Sequence, residues 1–217
     1  MSWQRIGIGL AALGLALGVA GCNIVGAAVL MLHPPIMQEP EIELTKNRLV
    51  VLIEYARPSD AHPIFTQTFR DRLTEVFHDK KVNDKIVPVE EIQDLKNDHT
   101  DFAKWSLQRI ARELDAEQLL YVRVERLSMS TTDGYPLLQP GVELRLKVVG
   151  RDAPVDHPRL WPEEREGRLI QRARPTREAA DTLVVDSEAE KLAKDAAWLA
   201  AKPFYKFDTE EKDPWEP

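Results

Sequence analysis

The sequence predicts an α/β protein: a mixed sheet of about four to five strands with helices on both faces, a long antiparallel hairpin in the second half and a C-terminal helix. Three observations carry this. Leu49-Val50-Val51-Leu52-Ile53 is an unbroken apolar run, the pattern of a strand covered on both sides. Phe65, Phe69, Leu73, Val76 and Phe77 then recur at spacings of three and four, the stripe of an amphipathic helix. Finally, Leu120, Val122 and Val124, and later Val142, Leu144, Leu146 and Val148, alternate with polar residues, which marks half-exposed strands.

In chain order, His33 to Asn47 carries Pro34, Pro35 and Pro40 among charged residues and reads as an extended spacer. The apolar strand follows, and Pro63 sits well in the first turn of the helix after it. Ile86-Val87-Pro88-Val89 is expected to be a short strand, held to an edge or a strand end because Pro88 has no N–H to donate. A second helix is expected to start at Thr100 or Asp101, either of which can cap it, and to run through Ala103, Leu107, Ile110, Ala111 and Leu114. The two alternating segments are joined by a stretch holding Asp133-Gly134 and Pro140-Gly141, which predicts a hairpin with a long connection. Arg151 to Gly167 is rich in proline and charge, with Trp161 inside it; Arg168 to Arg174 offers one more short strand. Ser187 is expected to cap a last helix that runs to about Lys202 and stops at Pro203.

The amino terminus is an address. Arg5 precedes an uncharged run beginning at Ile6, and Leu17-Gly18-Val19-Ala20-Gly21-Cys22 places small residues just before the only cysteine of the chain. This segment resembles the lipobox of bacterial lipoprotein precursors. The resemblance implies cleavage before Cys22, lipid on its thiol and new amino group, and attachment to a membrane by several acyl chains, where one would be marginal. Asn23 after the cysteine implies the outer membrane, facing the periplasm. The uncharged run reaches Leu32, so an uncleaved helix is the open alternative, since about 20 apolar residues span a bilayer. The organisation that follows is 1–21 signal peptide, 22–47 lipidated terminus and linker, 48–207 a single α/β domain, and 208–217 an acidic tail.

Ile110-Ala111-Arg112-Glu113-Leu114-Asp115-Ala116, running into Leu119-Leu120-Tyr121-Val122, closes a helix and opens a strand. With the strand and helix before it, this resembles a domain shared by envelope lipoproteins, among them the amino-terminal domain of TolB, the curli-secretion lipoprotein of the CsgG type and the peptidoglycan-synthase activators of the LpoB type. The likeness covers about Leu49 to Gly150. Asp115 stands where that group has glycine, and Glu117-Gln118 where it commonly has aspartate. The resemblance implies a non-enzymatic role in envelope transport, assembly or regulation.

Composition narrows the function. The formal net charge is −7 with no basic cluster evident, which argues against nucleic acid as a partner. One cysteine allows no internal disulfide. No phosphate-cradling glycine loop, serine elbow or metal-ligand spacing occurs, so no cofactor and no metal is expected. The nearest approaches to a metal cluster are Asp60 with His62, Asp98 and Asp101 around His99, and Asp156 with His157. They fall in loops or at helix starts, where caps are expected. If they converged, an envelope hydrolase or metal-dependent enzyme would be the alternative function. A homo-oligomeric pore subunit is a third reading, and would need the hairpin to cross a membrane with Arg123, Glu125, Arg126, Arg145 and Lys147 in its lumen. The residues expected to meet an unidentified envelope protein are Tyr135, Leu137 and Leu138, exposed unless something covers them, and Trp161, which either anchors a partner or packs over a sheet edge.

Overall fold

The computed structural model describes residues 36–130, 137–178 and 182–210. They fall in two units. One contains a short antiparallel ladder of β1 (Met37–Gln38) and β8 (Phe207–Asp208), with Met37 opposite Asp208 and the Thr209 N–H donating to the Ile36 carbonyl.

The larger unit, from Glu39 to Lys206, is a six-stranded mixed sheet with helices on both faces. Its central strands are β2 (Leu49–Tyr55), β3 (Gln118–Ser130) and β4 (Leu137–Gly150). Strand β2 runs parallel to β3, and β3 runs antiparallel to β4. The other edge of β4 is tiled by three short antiparallel strands: β5 (Arg159–Trp161), β6 (Arg168–Ala173) and β7 (Arg177–Glu178). The long hairpin of the second half is therefore β3 and β4, as its alternation predicts.

Among the described residues four α-helices complete the unit: α1 (Pro63–Asp79), α2 (Val89–Asp98), α3 (Leu107–Glu113) and α4 (Thr182–Ala201). On one side α1 packs against α4, and α4 lies on β4 and β6. Phe65, Phe69, Leu73 and Phe77 of α1 are fully buried, as are Leu192 of α4 and Leu144 and Leu146 of β4. On the other side α2 and α3 close a second core in which Val50, Leu52 and Leu119 meet Ile92, Phe102, Trp105, Ile110 and Leu114. The continuous apolar run of β2 is thus explained by burial from two directions.

Some elements depart from expectation. Ile86 makes only a single parallel bridge to Leu49, and Pro88 serves as the N-cap of α2. Glu90 and Glu91 fill the first turn of that helix, where its positive end favours them, and Glu91 pairs with Arg48 at 2.6 Å. The next helix starts at Leu107, because the Ser106 hydroxyl accepts from the Arg109 N–H; Phe102–Lys104 is a short 3-10 turn. The C-terminal helix begins at Thr182, ahead of Ser187. Asp115, where the resembling domains carry glycine, takes φ +47 in the left-handed cap.

The stretch from Glu39 to Asn47 belongs to the larger unit and packs on the rest of it. Leu44 is buried, the Thr45 N–H donates to Gln118, and Asn83 donates to the carbonyls of Thr45 and Asn47. The Glu41 N–H donates to the Pro203 carbonyl. An extended segment rich in proline reads as a spacer in sequence, yet its polar backbone finds distant partners here. No helix among the described residues is long and apolar enough to cross a membrane.

Candidate functional site

Helices α2 and α3 cover only one end of their side of the sheet. The Gln108 side chain of α3 donates to the Gly150 and Ala153 carbonyls, which fixes this helix over the end of β4. Beyond that point the outward residues of β3, β4 and β6 form an uncovered floor. The register sets Tyr121 opposite Lys147, Arg123 opposite Arg145, Arg145 beside Leu169, and Glu143 beside Gln171. Between Val124 and Arg126 the β3–β4 register slips, leaving Glu125 as the extra residue of a bulge. The slip exchanges faces after Glu125: Leu127 is buried on the helical side, while Arg126 and Ser128 join the floor.

Two adjoining cavities occupy this floor. The larger, about 840 Å³, is lined by Arg123, Arg145, Lys147 and Arg165 among cations and by Glu125, Glu143 and Glu166 among anions. The smaller, about 430 Å³, continues it past Glu143 and Gln171 to Arg126, Ser128 and Pro140. Neutralisation is incomplete. One oxygen of Glu125 lies 3.7 Å from Arg123 and 3.6 Å from Arg145, ion-pair distances too long for good hydrogen bonds. Glu166, itself largely exposed, reaches Arg145 at 3.2 Å. Lys147 has no carboxylate partner among the described residues, and burial together with Arg159, Arg123 and Arg145 pulls its pKa down. At the covered end, burial and the charge of Glu54, which accepts the Tyr121 hydroxyl proton in a 3.0 Å hydrogen bond, raise the Tyr121 pKa.

The opposite side of β6 holds a second ionic cluster of different character. Glu188 and Asp195 of α4 are buried, with relative exposures of 2% and 1%. Asp195 accepts from Arg174 at 2.6 Å and from Arg172 at 3.2 Å; Glu188 accepts from Lys191 at 2.8 Å and pairs with Arg174 and Arg177. Burial pushes the Glu188 pKa up, but Lys191, Arg177 and Arg174 outweigh it and hold the carboxyl below its ordinary range.

The sequence-predicted residues are distributed as follows. Cys22 and Tyr135 lie outside the described residues. Leu137 is half-buried and Leu138 buried, and their backbones pair with β7. Trp161 is buried in β5, its ring edge-on to Phe204 at 5.3 Å and its indole N–H donating to Glu41. Asp60 pairs with Arg57 and accepts from the Leu127 N–H, and His62 caps α1. His99 lies against Trp105, whose N–H donates to Asp101. His157 lies near Asp156 at 3.9 Å, with both side chains exposed. Among the described residues no group of three His, Cys, Asp or Glu side chains is placed to hold a metal ion.

The sequence groups Arg123, Glu125, Arg126, Arg145 and Lys147 only under the pore reading, as lumen residues; that they line an uncovered sheet floor depends on pairing among three strands. Its traces were the basic residues at the outward positions Arg123, Arg145 and Lys147, and the break in the period of two between Val124 and Leu127.

The class defined by this geometry is an α/β domain with a partly uncovered mixed sheet. Solved structures similar to it include the PelC dodecamer from Paraburkholderia phytofirmans, at 14% identity over 76% of this chain and 94% of that one, with a TM-score of 0.35. Lipoprotein GNA1162 from Neisseria meningitidis is similar at 12% identity over 70% of this chain and 99% of that one, with a TM-score of 0.40. No protein-family profile and no curated protein matches the sequence.

Proposed function

We propose that this chain is a lipid-anchored, non-enzymatic protein of the bacterial envelope that presents its α/β domain to a protein partner in transport, assembly or regulation, in the manner of the TolB, CsgG and LpoB lipoproteins its sequence resembles. Leu17 to Cys22 supplies the anchor, with acyl chains on Cys22, and Asn23 directs the mature protein to the outer membrane on its periplasmic side. The observation that carries the reading is the uncovered, incompletely neutralised face of β3, β4 and β6. An exposed sheet face with cations opposite one another is costly to maintain for stability alone, and so points to recognition. The contact surface is accordingly this floor, with Leu137 at the hairpin end beside it, while Leu138 and Trp161 support the fold from within. Intact mass spectrometry of protein extracted from membranes tests the anchor: mature chain beginning at an acylated Cys22, and loss of membrane association in Cys22→Ser, are expected. A mass corresponding to unacylated chain from Met1 would reject it.

A further inference from the structure

We propose that the uncovered floor of β3, β4 and β6 is a docking trough for an extended acidic peptide segment of a partner protein, whose carboxylates are held by Arg123, Arg145 and Lys147. The inference rests on the proposed function in one respect only, that the partner is a protein. Three observations lead to it.

The first is charge. Arg123 and Arg145 are directly opposite across the β3–β4 ladder, and Lys147 follows two residues along the same face. Like charges in that relation destabilise a sheet unless something sits between them. What the chain provides is one shared Glu125 oxygen at 3.6 and 3.7 Å and an exposed Glu166; Lys147 feels the charge of Glu125 but makes no ion pair with a carboxylate among the described residues. A carboxylate entering from outside would complete the set. This concentration of cations stands out in a chain whose net charge is −7.

The second is pitch. Lys147 and Arg145 are spaced by two residues of one strand, about 6.7 Å, and an extended peptide repeats its side chains on one face at that same interval. Alternate acidic residues of such a peptide would fall in step with the row.

The third is the mixture of groups. The floor also carries Glu143 and Gln171, joined by a 3.2 Å hydrogen bond, and the apolar side chain of Leu169, 42% exposed. Carboxylate acceptors repel a uniformly anionic polymer or a phosphate, but they suit a peptide, which brings amide N–H donors between its carboxylates. The cations line the floor of a trough of about 840 Å³, so a flat bilayer surface is the poorer fit.

The test uses the full chain in detergent and a fluorescein-labelled peptide of alternating Glu and Thr, about ten residues long, enough to run the length of the strands. Fluorescence polarisation is expected to show saturable binding that weakens as salt rises, and a loss of about tenfold or more in affinity in the Arg145→Gln, Lys147→Gln double variant. Lys104→Gln, exposed next to α3, is expected to bind like the parent. A melting temperature in the double variant no lower than the parent's excludes unfolding as the cause. Equal binding of a Lys–Thr peptide, or unchanged affinity in the double variant, would overturn the proposal. So would binding to phosphatidylcholine–phosphatidylglycerol vesicles, or binding of sodium pyrophosphate measured by calorimetry, where the acidic peptide itself does not bind: the first would make the floor a membrane surface, the second a small-anion site. Because Cys22 acylation is read separately by mass, a failure here leaves the anchoring intact, and a failure of anchoring leaves this result standing.

Discussion

Two ionic clusters lie on opposite faces of the sheet, and they are completed to different degrees. On the helical side Asp195 and Glu188 are sealed beneath Arg172, Arg174, Arg177 and Lys191, with bonds from 2.6 Å upward. On the open side Arg123, Arg145 and Lys147 share too few carboxylates at too great a distance. The buried cluster is closed because an unpaired charge there is intolerable; the exposed one is left incomplete because water screens it. The first fastens β6 and β7 to α4, and the second leaves charge available to a partner.

The largest effect is expected where a buried acid is removed. Asp195→Ala leaves Arg174, itself 9% exposed, with only its 3.4 Å pair to Glu188, and should lower unfolding free energy by about 3 kcal/mol in urea titration. A loss below about 1 kcal/mol would mean that the sealed cluster does not hold the edge strands in place. The same cluster sets an acid limit. The Glu188 carboxyl has a lowered pKa in the fold, so the stability it contributes is complete above the unfolded carboxyl range, near 4.3, and is lost as pH falls through the folded value. Thermal melting between neutral and acid pH should show this decline, and Glu188→Gln should flatten it.

An intermediate effect is expected at the rim of the open face. Gly167 has φ +97, and a β-carbon there would lie 2.8 Å from the Leu146 carbonyl oxygen. Gly167→Ala should therefore cost about 2 kcal/mol in chemical denaturation. Neutral behaviour would show that the turn into β6 is free to shift, and with it the wall beside Lys147.

The smallest effect has the opposite sign. Lys147→Gln removes a charge that burial and three arginines disfavour, and should stabilise the free protein by about 0.5 kcal/mol at neutral pH. Since the Lys147 pKa is lowered in the fold, its cost is present below that folded value and disappears as pH rises through it. The advantage of the variant over the parent should accordingly vanish in alkaline melts. A destabilised variant would mean that Lys147 is already paired in solution, and that the two clusters are alike after all.

Much of this architecture was legible in the chain. The apolar run at Leu49, the helical stripe from Phe65 to Phe77 and the alternation along β3 and β4 are local patterns, set by which side chains must leave water. Other elements depended on what lay across the fold. Ile86 to Val89 looks like a strand, but only one bridge to β2 forms before Pro88 caps a helix. Residues 39 to 47 look like a free linker until Gln118, Asn83 and Pro203 supply partners far away in sequence. Leu138 looks exposed, and Trp161 reads equally as an anchor or as packing over a sheet edge; both are buried in the fold, Trp161 against Phe204.

The sequence alone determined the export-like segment ending at Cys22, the acidic balance, the α/β class and the long hairpin, because these follow from periodicity and composition within short windows. Only the tertiary structure decided that the basic residues of β3 and β4 face one another on an uncovered floor, while Glu188 and Asp195 are sealed on the other side of β6. The physical reason is register: strand pairing, shifted at the Glu125 bulge, brings together charges separated by tens of residues, and no local pattern records which of them will meet.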